Sequence, residues 1–355
     1  MNFNFLEDGV IVYTILFFLL VFTVLLFEGR TNKQNKIIFI FFIILYILLG
    51  ALRGPHVGSD TFGYINQIEL LRSSSYSDIF TTFIKDPVAW AFFKLISSPF
   101  KTYTPYFFIL QVIFWLSIGY ALYKYSHNCL FALLIFVLFR FSYFNMSGMR
   151  QGLALAITFY SFRFIIEKKS FKFIALVFLA SLFHKSAILF LVVYFIKNTI
   201  LHNNMKAILI LIFTGLFILI APEVLESLVA DDFIYHNYLN SESGSNIYLF
   251  ILNVLSFTIL YFNMRKNKKD NVLNTLFNLS LISMCFSLFS LDNDIAFRVA
   301  MYFGFFIPIA LTNINITKKG KQTYPIIIPV IAICIIYVIT GIPKGLIPYN
   351  FFWEV

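Results

Sequence analysis

The feature that most limits this chain is its series of long, almost uninterrupted apolar runs. A helix that crosses a bilayer needs about 20 mainly apolar residues. Twelve segments approach that description: 9–27, 37–53, 103–123, 129–145, 150–166, 171–184, 186–200, 207–222, 247–263, 272–291, 297–313 and 324–342. No water-soluble core has room for so many. Hydrophobic residues make up 60% of the 355, and charged ones only 12%, where a soluble domain carries about 25%. The expected fold is an all-α polytopic helical membrane protein. It would be a single transmembrane domain over 1–355 with about twelve spans, between about ten and thirteen. Runs 171–184 and 186–200 are short, parted only by His184 and Lys185. Segment 87–99 reads as an interfacial or re-entrant helix.

The ends and the cysteines add little chemistry. Met1 to Gly9 is acidic through Glu7 and Asp8 and lacks the basic start of a signal peptide. The first run is therefore expected to stay as a span. Cys129, Cys285 and Cys334 lie in separate apolar runs, with no spacing that suits a disulfide framework or a zinc site.

The charge distribution orients the chain. Cytoplasmic connections of membrane proteins are enriched in Lys and Arg. With the N-terminus outside, one side collects 17 cations, among them Arg30, Lys33, Lys36, Arg163, Arg265 and Lys318, against only Glu28, Glu167 and Asp270. The opposite side keeps ten cations and fourteen acids. Both termini are thus expected to be extracytoplasmic, and the net charge of +10 is mostly topology. Nucleic acid is not an expected partner; the lipid bilayer is.

Two outer connections are long, about 53–102 and 223–246. Long loops in a compact protein are usually functional. The second is acidic (Asp231, Asp232, Glu242) and aromatic (Tyr235, Tyr238).

The outer cations include Arg53, Arg72, Arg140, Arg150 and Arg298. An arginine near the membrane is costly unless paired or wet, and its planar fork suits phosphate oxygens. Converging arginines would make an outward-facing anion site. The plain alternative is snorkelling or pairing with acidic loops. In Arg53-Gly54-Pro55-His56-Val57-Gly58-Ser59-Asp60-Thr61, the irregular backbone leaves Arg53, His56 and Asp60 near one mouth. There, a carboxylate or histidine can take a proton from a hydroxyl. Asp60 is equally placed to cap a helix starting near Thr61. In Asn145 to Gly152, a helix starting near Gly148 puts Arg150 and Gln151 in its first turn, where backbone donors add to the cation. Phe183-His184-Lys185-Ser186 offers a histidine and a lysine at an outer turn. Asp294 lies four residues before Arg298 and is spaced to pair with it. No nucleotide, hydrolase or metalloprotease signature is present.

Together these blocks resemble the EpsG family of Wzy-type polysaccharide polymerases. They are Arg53 to Tyr64 (Arg-Gly-x-x-x-Gly-Ser-Asp-Thr-x-x-Tyr), Met149 to Ala154 (Met-Arg-Gln-Gly-Leu-Ala), Phe183 to Ala187 (Phe-His-Lys-Ser-Ala), and Phe297-Arg298 with Tyr302. The resemblance implies a GT-C-like glycosyltransferase in the bacterial cytoplasmic membrane. It would polymerise oligosaccharide units carried on undecaprenyl diphosphate on the outer side, with lipid diphosphate as leaving group. It implies no metal and no cofactor. The implied partners are lipid-linked donor and acceptor, a chain-length regulator and a flippase. For that chemistry the residues offer Arg53, Arg150 and Arg298 for the diphosphate, Asp60 and then His184 as base, and Gln151, Lys185, Tyr302 and His56 as further substrate contacts. Pro55-His56 and the 223–246 loop match no family pattern. An O-antigen ligase, a lipid-linked sugar flippase and a membrane acyltransferase are the rival readings. The last two fit the outward clustering of polar residues less well.

Overall fold

The computed structural model describes residues 10–83, 86–197, 247–264, 271–291, 294–314, 327–340, 346 and 349–354. Almost everything described is helix. Short turns join the helices, and the β pairing among the described residues is one isolated antiparallel bridge, Arg53 to Phe351. The helices are α1 Val10–Leu26, α2 Asn32–Ala51, α3 Thr61–Ser73, α4 Tyr76–Thr82, α5 Pro87–Ser97, α6 Thr104–Tyr125, α7 Cys129–Leu138, α8 Phe141–Ser147, α9 Met149–Ile166 and α10 Ser170–Phe183. A 3-10 stretch, Lys185–Leu191, leads into α11 Val192–Ile196. Then come α12 Ile247–Met264, α13 Asn271–Phe289, α14 Asp294–Gly304, α15 Ile307–Asn313 and α16 Ile327–Thr340.

Among the described residues, four helical segments are long and apolar enough to cross a membrane: Asn32–Ala51, Thr104–Tyr125, Val272–Phe289 and Ile295–Asn313. The pair α7 and α8 makes a fifth if counted as one bent span. The outer faces match a lipid surround. Ile37, Ile40, Phe41, Ile44 and Leu48 are exposed on α2. Ile247, Ile251, Leu255, Ile259 and Phe262 form a stripe at i+4 and i+3 spacing along α12. Apolar stripes of this extent do not face water on soluble monomers. The protein is a helical membrane protein.

The chain forms two compact units. One comprises Met1–Arg163, Phe171–Ile188 and Asn315–Val355; the other comprises Phe164–Ser170 and Leu189–Ile314. In the first, α2 packs along α6, and α1 and α2 both meet α7. The start of α2 is fixed by a capping box, with Thr31 and Gln34 satisfying each other's backbone N–H. This moves the helix start five residues ahead of the apolar run at 37. Its inward residues Phe39, Phe42 and Tyr46 are buried, and the Tyr46 ring stacks on Trp115 of α6 at 5.0 Å.

In the second unit α13 packs against α11, α12, α14 and α15. Polar side chains tie these helices, as expected where apolar contact alone cannot discriminate helix from lipid. Ser283 donates to Asn253 Oδ1 of α12 at 2.6 Å, and Asn278 Nδ2 donates to the Ile196 carbonyl at 2.9 Å.

Three features differ from the sequence reading. Run 129–145 is broken by 54° between α7 and α8. Arg140 stops α7 by taking the left-handed conformation (φ 61) while its N–H donates to the Val137 carbonyl at 2.8 Å. The apolar run carries no sign of this, since hydropathy is blind to φ. Residues 186–191 are 3-10 rather than α-helical, because Ala187 N–H already bonds back to His184, three residues earlier. The 53–102 connection holds the three helices α3, α4 and α5, and α5 lies at the ambiguous 87–99 segment. The expected span 207–222 and the acidic loop 223–246 lie outside the described residues.

Candidate functional site

The site in the first unit is built around the end of α8. The segment 52–60 turns back and docks there because three groups reach the same carbonyl region. Arg53 Nη2 donates to Met146 O at 3.1 Å, Thr61 Oγ1 donates to Met146 O at 3.0 Å, and Ser59 N–H donates to Ser147 Oγ at 3.2 Å. Gly58 makes the approach possible. Its φ is +99, and a Cβ there would lie 2.6 Å from the Met146 oxygen. Only glycine combines that backbone with that closeness.

Arg53 does not stand at an open mouth. It is 1% exposed. Its guanidinium donates to the Gly50 and Met146 carbonyls and lies 4.1 Å from the Phe107 ring centroid. The C-terminal segment closes over the same region: Gly54 N–H donates to Asn350 O, Phe352 N–H to Leu52 O, and the Tyr349 hydroxyl to Leu49 O. Burial pushes the Arg53 pKa down to about 10, which leaves it charged at neutral pH. Among the described residues no carboxylate pairs with it, and its Nε has no hydrogen-bond partner. Arg53 is thus an enclosed positive charge held by carbonyls and an aromatic face.

Arg150 is the more accessible cation. It opens α9, and its side chain remains 25% exposed. Nη1 donates to Asp86 Oδ2 at 2.9 Å. The guanidinium carbon lies 5.1 Å from the Trp90 ring centroid. The Arg150 backbone N–H reaches the Tyr64 hydroxyl at 3.5 Å, and Tyr64 in turn packs on Trp90 and Phe93 of α5. Helix α5 therefore supplies both the counterion and the platform. Its own position is secured by Lys94, whose ammonium donates to the Leu71, Arg72 and Ser74 carbonyls at the end of α3.

Asp60 sits at the start of α3 but makes no capping bond. Its carboxylate accepts from Ser59 Oγ at 3.3 Å, is half-buried, and places its charge close enough to act on Arg150. The capping reading does not hold here. A polar cluster of Arg150, Asp86, Asp60 and Tyr64 results, with Trp90 beneath it.

The other candidates are placed as follows. His56 is exposed and stacks on Phe62 at 5.3 Å. Gln151 is buried beside Arg150 in sequence, and a Cβ on the next residue, Gly152, would collide with the Asn145 amide. This accounts for the glycine in Met-Arg-Gln-Gly. His184 Nδ1 shares a 2.7 Å hydrogen bond with Ser186 Oγ, and Lys185 is exposed. Phe183, just before His184, packs edge-on against Phe92 of α5 at 5.4 Å. The Phe-His-Lys-Ser block and Arg150 thus share α5 as a neighbour. Arg298 and the buried Tyr302 lie on α14 in the second unit.

Asp86 and Trp90 escaped the sequence reading. The one available signal was Asp86-Pro87 ahead of an amphipathic segment, which marks a helix start. It would have suggested a cap, and the side chain instead turns to Arg150. Among the described residues, no group of three His, Cys, Asp or Glu side chains is arranged for a metal.

Comparison with known proteins gives one result. The EpsG family model matches residues 36–351. No curated protein and no solved structure matches the chain.

Proposed function

Because the chain belongs to the EpsG family of Wzy-like polysaccharide polymerases and exopolysaccharide biosynthesis proteins, we propose that it polymerises oligosaccharide repeat units carried on undecaprenyl diphosphate. The reaction takes place at the outer face of the bacterial cytoplasmic membrane, in a GT-C-like protein of about twelve spans with both termini outside. The growing chain is the donor, and a sugar hydroxyl of a new lipid-linked unit is the acceptor.

The observation that carries this reading is the Arg150 cluster. It joins a partly exposed guanidinium to the first turn of an 18-residue helix, and both favour an anion. In the reaction the acceptor oxygen bonds to the anomeric carbon as the bond from that carbon to the phosphate oxygen breaks. The electron pair leaves with the diphosphate, where charge develops. A preorganised cation placed at that point stabilises the transition state more than the ground state. The acceptor proton goes to a base. Asp60 is favoured because it is half-exposed at the start of α3 without spending its carboxylate on a helix cap; His184 is the second candidate. Arg53 adds positive potential from within. Arg298, Tyr302, Gln151, Lys185 and His56 are proposed substrate contacts. No residue in this scheme calls for a metal.

A gene deletion tests the reaction class. The mutant is expected to display surface glycan capped at one repeat unit, without the ladder of longer chains. Loss of all surface glycan, with lipid-linked units trapped on the inner face, would indicate a flippase instead. Arg150→Ala is expected to abolish the ladder at unchanged protein level, and an intact ladder removes Arg150 from the site.

A further inference from the structure

We infer that Asp86 is a positioning residue for the proposed reaction, orienting the Arg150 guanidinium from behind so that its remaining donors face the incoming anion. The inference rests on the reading of Arg150 given above.

Three observations support it. Asp86 is at φ 50 and ψ 52, in the left-handed region. Side chains with a Cβ pay for that conformation, and Asp and Asn pay least. A residue held there commonly serves the site it borders. Second, Asp86 precedes Pro87 at the start of α5, where an aspartate normally caps the helix, yet it makes no capping bond. The carboxylate is directed to Arg150 instead, at 2.9 Å, with only 10% of the side chain exposed. Third, this pair holds Nη1 and Trp90 covers a face, while a quarter of the Arg150 side chain stays exposed. An arginine gripped at one edge and backed on one face loses little freedom when phosphate oxygens arrive.

The test uses the full chain purified into lipid nanodiscs, with synthetic repeat units on lipid diphosphate, and reads initial rates against donor concentration. Asp86→Asn removes the charge and suits the left-handed backbone. Asp86→Gly relaxes that backbone outright, so folding is protected. Both are expected to lower kcat by about 100-fold, the scale of a misplaced catalytic group, with the thermal midpoint kept. Asp86→Glu is expected to restore part of the rate. Combining Asp86→Asn with Arg150→Lys, which keeps the charge but loses the planar fork, should do no further harm than Arg150→Lys alone. The inference is overturned if Asp86→Gly matches wild type, which would make the residue a backbone device. It is equally overturned if the double variant falls another 100-fold below Arg150→Lys, which would show independent action. If Arg150→Ala itself keeps the full rate, the reading of Arg150 fails as well. If Arg150→Ala is dead while Asp86→Asn is unaffected, only the positioning role fails.

Discussion

Gly58 allows the docking of 52–60 on α8 to be measured. Gly58→Ala adds two separable penalties. A Cβ at a φ of +99 is strained by about 1–2 kcal/mol. The same Cβ would sit 2.6 Å from both the Met146 carbonyl oxygen and Thr61 Oγ1. Relieving that overlap means moving backbone, at about 1–3 kcal/mol. The sum is about 2–5 kcal/mol, or roughly 4–20 °C in thermal midpoint at about 2–4 °C per kcal/mol. Two internal controls divide it. Gly29 has φ +80 with nothing within 4 Å of an added Cβ, so Gly29→Ala shows the strain alone. Gly63 lies inside α3 with open space around it, and Gly63→Ala is expected to gain up to about 1 kcal/mol in helix propensity. Thermal scans in detergent with a polymerisation assay give both readouts. The expected order of stability is Gly63→Ala above wild type, then Gly29→Ala, then Gly58→Ala, with activity falling chiefly in the last. A Gly58→Ala protein no less stable than Gly29→Ala would refute the docking of this segment against α8.

Two further substitutions probe the supports of the site. Lys94→Met keeps the apolar stem but leaves the three carbonyls at the end of α3 without their cation. We expect a loss of about 1–3 kcal/mol, read as a lowered thermal midpoint, with partial recovery in Lys94→Arg; an unchanged midpoint would mean that α5 is held by its aromatic contacts alone. Tyr349→Phe removes one hydrogen bond to Leu49 O and should lower stability by about 0.5–1.5 kcal/mol. Tyr349→Ala also loses the ring contacts with Tyr13 and Phe351 and should release the tail to limited proteolysis, whereas a protease-resistant Tyr349→Ala protein would show that the backbone bonds of 350–352 suffice.

What could be read from the residues follows the range of the forces involved. Helices α1, α6, α9 and α12 fall within a few residues of their apolar runs, because membrane burial is written in local hydropathy. The start of α2 escaped, since Thr31 and Gln34 extend the helix through polar residues by capping. The break at Arg140 escaped for a different reason: it rests on a single backbone angle, which hydropathy does not register. At the site, Arg150 was legible as a cation out of place. Its counterion was not, because Asp86 is 64 residues away and no spacing rule reaches that far. Arg53 shows the opposite error. Its flanking glycines and proline suggest an exposed turn, and the structure uses them to fold the turn shut over it.

The break at Arg140 has a mechanical consequence. Helix α8 is a seven-residue strut, about 10 Å long, with a left-handed joint at one end and Gly148 at the other. Its far end grips Arg53 and Thr61 through a single carbonyl, and the chain continues directly into Arg150. A tilt of about 10° about the Arg140 joint would sweep that far end by nearly 2 Å, about one-third of a helical turn. One anchor of Arg53 rides on this lever, and the backbone of Arg150 follows directly from it. A rotation of the strut would therefore shift the carbonyl that holds the buried charge and the backbone that carries the accessible one together.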